Sequence, residues 1–288
     1  MDQLQQTLHK AADLHNQGQH NAALAIYEHA IRHWPNEPLL WNNRGNSLLE
    51  LTRFAEAAES YRRALHHLPQ LHDARVALAT CLQALGQLND AMLELETVLH
   101  QAPDHAEARW NRSLMLLLVG DYENGWSEYE WRWRKRNFTS PGRSYNAPYW
   151  AGEPLSGKAI LIHAEQGFGD TLQFCRYLPL LAQQGATVLF ECHQPLVRLM
   201  TSLGPGITCY PFGSYHERFD YHLPLLSLPA IFRTSLTTIP KHLPYLSAST
   251  DCKLFWQNSL ATFRQLRVGL CWAGKTYPDP LRSCPPEL

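Results

Sequence analysis

The chain has little that would tie it to a membrane, a metal or a polyanion. It has 25 Lys and Arg against 26 Asp and Glu, a formal charge of −1. Such a balance provides no basic field for nucleic acid or an anionic surface. No stretch approaches the roughly 18 consecutive apolar residues of a membrane span. The start, Met1-Asp-Gln-Leu-Gln-Gln-Thr, lacks the apolar core of a secretory leader. The seven cysteines (81, 175, 192, 209, 252, 271, 284) are scattered, odd in number and without a CxxC pair. That argues against a disulfide framework and a zinc knuckle, and predicts a reduced, cytoplasmic protein. His29 and His33 share a helix face at i, i+4, but no carboxylate or cysteine accompanies them, so no metal site is expected.

What the chain does have is a repeat. Pro35, Pro69 and Pro103 are spaced 34 residues apart, and the same period aligns Ala30, Ala64 and Val98. It aligns Tyr27, Tyr61 and Leu95, then Ala23, Ala57 and Ala91, then Ala11, Gly45 and Ala79. Small residues recur where two helices approach, large ones where the next layer is filled, and proline where the second helix must stop. A fourth, decayed unit follows: Asn111 matches Asn43, Gly120 matches Gly86, and Tyr122 and Tyr129 match Leu88 and Leu95. Its closing column holds Asn137 in place of proline.

This unit ends Trp126-Ser-Glu-Tyr-Glu-Trp-Arg-Trp-Arg-Lys-Arg. Trp131 and Trp133 are read as packing on whatever follows, since a terminal repeat needs a different outer face. The alternative is a basic–aromatic grip on a single strand through Arg132, Arg134, Lys135 and Arg136, against which the neutral balance weighs. Prolines and glycines then punctuate residues 138–158, as in an ordered linker pinned by Tyr149 and Trp150.

From Ala159 the period changes. Ala159–Ile162 is a short apolar run suited to a parallel strand covered on both faces. Thr187–Cys192, Ile207–Tyr210 and Phe219–Leu223 follow as strands, separated by apolar helical stretches. A helix over Leu254–Phe263 and a strand over Arg267–Gly274 complete the pattern. Alternation of this kind predicts a parallel, doubly wound sheet. Between the first strand and its helix lies Gly167-Phe-Gly169-Asp170, a glycine loop where such folds bind ligands. Four readings compete. The loop is a turn, with Asp170 as helix cap. A phosphate-binding P-loop fails for want of Gly-Lys-Ser/Thr. A dinucleotide site with Glu191 at the end of the next strand meets Leu172 where a third glycine is needed. An acid–base site makes Asp170 the base that takes a hydroxyl proton.

The 34-residue pattern resembles the tetratricopeptide repeat (TPR) family. Behind it, His163-Ala-Glu-Gln-Gly-Phe-Gly-Asp-Thr-Leu-Gln-Phe-Cys-Arg-Tyr is similar to the first glycine loop of heptosyltransferases. The layout also resembles O-GlcNAc transferase, a TPR superhelix joined to a GT-B catalytic region. The resemblance implies an α plus α/β chain: a TPR array over 1–137, a linker over 138–158 and a Rossmann-like first half of a GT-B fold over 159–265. The start of a second Rossmann domain would fall over 266–288.

It further implies sugar transfer from a nucleotide-sugar to an acceptor hydroxyl, with no other cofactor. Asp170 would be the catalytic base, His163, Glu165, Gly167 and Gly169 would bind the acceptor, and Gly274, Lys275, Arg282 and Ser283 part of the donor. Residues 275–288 are too few for another βαβ unit, so the chain is expected to lack most of the donor site and to turn over little or no substrate. In O-GlcNAc transferase, asparagines in the column of Asn43 and Asn111 grip peptide backbone, which implies a peptide or protein in the groove. Here His9 and Ala77 interrupt that ladder. The alternative function is therefore a non-catalytic protein–protein interaction module.

Overall fold

The computed structural model describes residues 3–136, 138, 140, 142–165, 167–214, 218–263, 265, 266 and 268. Eight helices come first, in four antiparallel pairs. They are α1 (Gln3–Asn16) with α2 (His20–His33), α3 (Pro38–Glu50) with α4 (Phe54–His67), α5 (His72–Ala84) with α6 (Leu88–Gln101), and α7 (Ala106–Val119) with α8 (Tyr122–Tyr129). The second helices begin at His20, Phe54, Leu88 and Tyr122, so the period of the sequence is the period of the helices. Every residue of the aligned columns is buried: Ala23, Ala57 and Ala91, Tyr27, Tyr61 and Leu95, Ala30, Ala64 and Val98, and Ala11, Gly45 and Ala79. Gly45 shows why the last column stays small. A Cβ there would lie 2.7 Å from the Tyr61 ring.

Polar columns obey the same period. Trp41, Arg75 and Arg109 each donate a side-chain N–H to the carbonyl of Pro35, Pro69 or Pro103, at 2.7, 3.2 and 2.8 Å. Each bond ties the start of a first helix to the turn before it. The first helices of successive pairs also lie against one another, α1 on α3, α3 on α5 and α5 on α7. They are stitched by His15 to Ser47 (3.1 Å) and by Asn111 Nδ2 donating to Thr80 Oγ1 (3.2 Å). The first helices thereby form the inner row of the array.

After α8 the chain tightens into a 3-10 turn over Glu130–Arg134. A parallel four-stranded sheet follows, built of β1 (Ala159–His163), β2 (Thr187–Cys192), β3 (Ile207–Pro211) and β4 (Tyr221–Pro224) in the order β3-β2-β1-β4. Ile160 pairs with Val188 on one side and Tyr221 on the other. Helical segments α9 (Phe168–Phe174), α10 (Leu178–Gln183), α11 (Val197–Met200) and α12 (Leu228–Ile231) connect and cover the strands. The segment before β1 lies along the outer side of β4, where Trp150 N donates to His222 O at 3.0 Å and His222 N to Pro148 O at 3.1 Å. Of the two residues expected to pin this segment, Trp150 is buried and Tyr149 is exposed. Burial pushes the thiols of Cys175 and of Cys192, the last residue of β2, up to about 12, which keeps them protonated and inert.

The described residues up to Tyr245 form one compact unit, and those from Leu246 belong to a second. In the latter, α13 spans Thr250–Ser259, starting and ending earlier than the expected Leu254–Phe263. Ser249 sets that start, its side chain accepting from Cys252 N at 3.4 Å. The strand expected over Arg267–Gly274 lies outside the described residues.

Candidate functional site

Strand order reverses beside β1, because β2 and β3 lie on one side of it and β4 on the other. The carboxyl end of β1 is therefore the switch point where open α/β sheets hold ligands. His163 ends the strand, only 4% exposed, with its ring 5.6 Å from Tyr145 and 6.1 Å from His222. Burial, helped by the charges of Arg143, His222 and Arg132, pulls its pKa down to about 3. It is a neutral imidazole at physiological pH.

A cavity of about 350 Å³ opens beside it, walled by Trp133, Ser140, Arg143, Glu165 and Phe212. Arg143 stacks on Phe212 at 4.7 Å and pairs with Glu191, which also accepts from Gly213 N. Glu191 is thus spent on the protein itself, which removes the dinucleotide reading that needed it for a ribose.

Glu165 is also spent. Expected to bind an acceptor, its carboxylate instead receives Arg132 Nε at 2.8 Å, Arg132 Nη2 at 3.0 Å and Leu226 N at 3.1 Å. Arg132 is fully buried, and it also reaches Glu130, Ser227 and the Tyr129 carbonyl. Burial pushes the Glu165 carboxyl above its usual range, while the Arg132 charge, its hydrogen bonds and Leu226 N oppose that push. Burial also works against the Arg132 charge, but Glu165 and Glu130 outweigh it and hold the guanidinium protonated. The reading of Arg132 as part of an exposed basic grip is corrected accordingly. Trp133 faces this cavity as expected of a seam residue, whereas Trp131 lies between Arg109 and Arg134 at 5.1 and 4.5 Å.

The glycine loop itself is exposed. Helix α9 begins two residues before Asp170, so Gly167 is the residue flanking the helix and Asp170 lies in its first turn. The expectation that Asp170 caps the helix is corrected: it lies in the first turn, and its carboxylate reaches back to accept from Gly167 N at 3.1 Å. Gly167 has φ −78°, and Gly169 likewise has no left-handed φ, so neither residue type is demanded by backbone conformation. A Cβ at Gly169 would meet nothing within 4 Å. What the glycines provide is bare, accessible backbone beside Asp170. The four donor residues, Gly274, Lys275, Arg282 and Ser283, lie outside the described residues.

On the array, Asn43 and Asn111 stand on the inner helices, both half-buried. Asn43 accepts from Asn42 at 3.0 Å, and Asn111 reaches Thr80. Among the described residues, no group of three or more His, Cys, Asp or Glu is arranged to hold a metal.

Two models described as tetratricopeptide repeat match the chain, over residues 10–72 and 48–114. Residues 10–114 are tetratricopeptide repeats. The array continues by structure through the fourth pair, beyond the matched TPR residues. Protein FlbA of Caulobacter vibrioides is 24% identical over 295 aligned positions, covering 91% of this chain and 48% of FlbA. The chain thus spans about half the length of that curated relative. Among solved structures, MamA has a TM-score of 0.42 at 14% identity, covering 45% of this chain and 75% of MamA. The first TPR of Spaghetti (RPAP3) bound to an HSP90 peptide has a TM-score of 0.39 at 22% identity, covering 40% and 92%. YrrB, a TPR protein with an unusual peptide-binding site, has a TM-score of 0.39 at 22% identity, covering 43% and 64%.

Proposed function

We propose that the chain is a protein-interaction module whose TPR array holds an extended peptide along its inner row of first helices. The observation that carries this reading is the half-buried amide pair of α3, where Asn42 donates to Asn43, while Asn46 is taken up by the Tyr61 hydroxyl of α4. Side-chain amides offer a donor and an acceptor together, which suits a peptide backbone of any sequence. Asn111 adds an amide on α7. The full chain should retain peptides from a displayed random library. Asn43→Ala with Asn111→Ala should weaken the selected peptides about tenfold, the loss of one to two hydrogen bonds. A folded double variant that binds them unchanged would sink the reading.

A second reading is favoured by the cavity at the carboxyl end of β1 and the bare loop beside it. In that reading the sheet is the Rossmann-like first half of a GT-B glycosyltransferase, and Asp170 accepts a proton from an acceptor hydroxyl. His163, being neutral, would orient that hydroxyl by hydrogen bonding, and Gly167 and Gly169 would let it approach. Glu165 has no part in it. Nucleotide-sugar turnover by the purified chain tests this, with Asp170→Asn as the control. Turnover lost in that variant supports a base, and turnover unchanged removes Asp170 from the chemistry.

A further inference from the structure

Where α7 and α8 meet α9, a second cavity of about 230 Å³ is walled by four aromatic rings, Tyr122, Trp126, Phe174 and Tyr177. It is separate from the cavity at the end of β1, and smaller than the roughly 300–1,000 Å³ of a drug-sized site. Its walls are fixed. Trp126 meets Phe174 edge to face at 5.6 Å, and the Tyr177 hydroxyl donates to Thr234 Oγ1 at 3.0 Å. Arg176 is the one charged residue of the lining, and no carboxylate pairs with it among the described residues. The guanidinium is held in place nonetheless. It stacks on Tyr245 at 4.6 Å, gives Nη2 to the Tyr245 hydroxyl at 3.0 Å and gives Nε to the Gln173 carbonyl at 2.8 Å. On the other wall the Trp126 ring lines the space, with its indole Nε1 closed off from solvent.

Arg176 thus brings an oriented charge without a counter-charge to an aromatic-walled space, which suits an anionic group. We propose that this cavity is a binding site for a small planar ring carrying a carboxylate. The ring stacks among the aromatic side chains, and the carboxylate pairs with Arg176. Because the walls come from both the array and the sheet, such a ligand bridges the two.

The test uses the full chain and three probes: phenylacetate, 4-hydroxyphenylacetate and the neutral phenylacetamide. Calorimetry or ligand-observed NMR should show saturable binding of both acids and about tenfold weaker binding of the amide, as expected when a charge-assisted hydrogen bond is lost. Arg176→Gln should bring acid and amide to parity, and Arg176→Lys should restore much of the difference. The indole N–H resonance of Trp126, identified by its absence in Trp126→Phe, should shift on saturation with an acid. Absence of saturable binding by either acid, equal affinity for acid and amide in the native chain, or an acid preference untouched in a folded Arg176→Gln would each overturn the proposal.

Discussion

Four turns between paired helices use the same device at the same register. The residue at the turn adopts a left-handed backbone, with φ of 75° at Gly18, 77° at Gly86 and 89° at Gly120. In the second repeat that residue is Thr52, at φ 57°. A β-branched side chain in this region costs about 1–2 kcal/mol. Thr52 is exposed and contributes no core contact that would offset the cost. Glycine would relieve the strain while giving back roughly 0.5–1 kcal/mol through a freer unfolded chain. Thr52→Gly should therefore raise stability by about 0.5–1 kcal/mol, read as a higher urea midpoint with an unchanged slope. A midpoint equal to or below that of the native chain would show that the threonine is not strained.

At the scale of elements, the period made the helices readable and could have made more readable than the apolar columns did. Helix pairs followed from proline and small residues because burial and chain reversal demand those residues in every unit. The Trp41, Arg75, Arg109 column escaped because its members differ in type, although each does one job toward a proline carbonyl. Carried one unit further, the buried column Ala30, Ala64, Val98 arrives at Arg132, and the apolar column Ile31, Leu65, Leu99 at Trp133. Position alone would have placed Arg132 inside, whereas its neighbours Arg134, Lys135 and Arg136 suggested a solvated face. The strands were readable because a buried parallel strand is a continuous apolar run. The site was readable only at the end of β1. Its other walls, Ser140, Arg143 and Phe212, come from segments distant in sequence, and no local pattern announces a contact that the sheet order creates.

At the scale of the molecule, Arg132 is the tie between the array and the sheet. It stands where the last repeat ends, and through Glu165 it holds the residue that leads from β1 into the glycine loop. The pair is nearly free of solvent, with side-chain exposures of 0% and 1%. Removing one member of such a pair leaves a buried charge uncompensated and costs about 3–5 kcal/mol. Arg132→Met, which keeps the volume, should lose that much in urea unfolding. Adding Glu165→Gln removes the stranded charge while keeping an acceptor for Leu226 N, so the double variant should recover about half the loss or more. The single variant should also carry a pH signature. Without Arg132, burial pushes the Glu165 carboxyl further above its unfolded value, so the folded state binds more protons than the unfolded one. Stability of Arg132→Met must then rise as the pH falls from 7 toward the ordinary carboxylate range. The double variant, with no carboxyl at position 165, should lack that rise. An Arg132→Met chain within about 0.5 kcal/mol of the native one, or one whose stability relative to the double variant is flat with pH, would mean that the array and the sheet are held together without this charge pair.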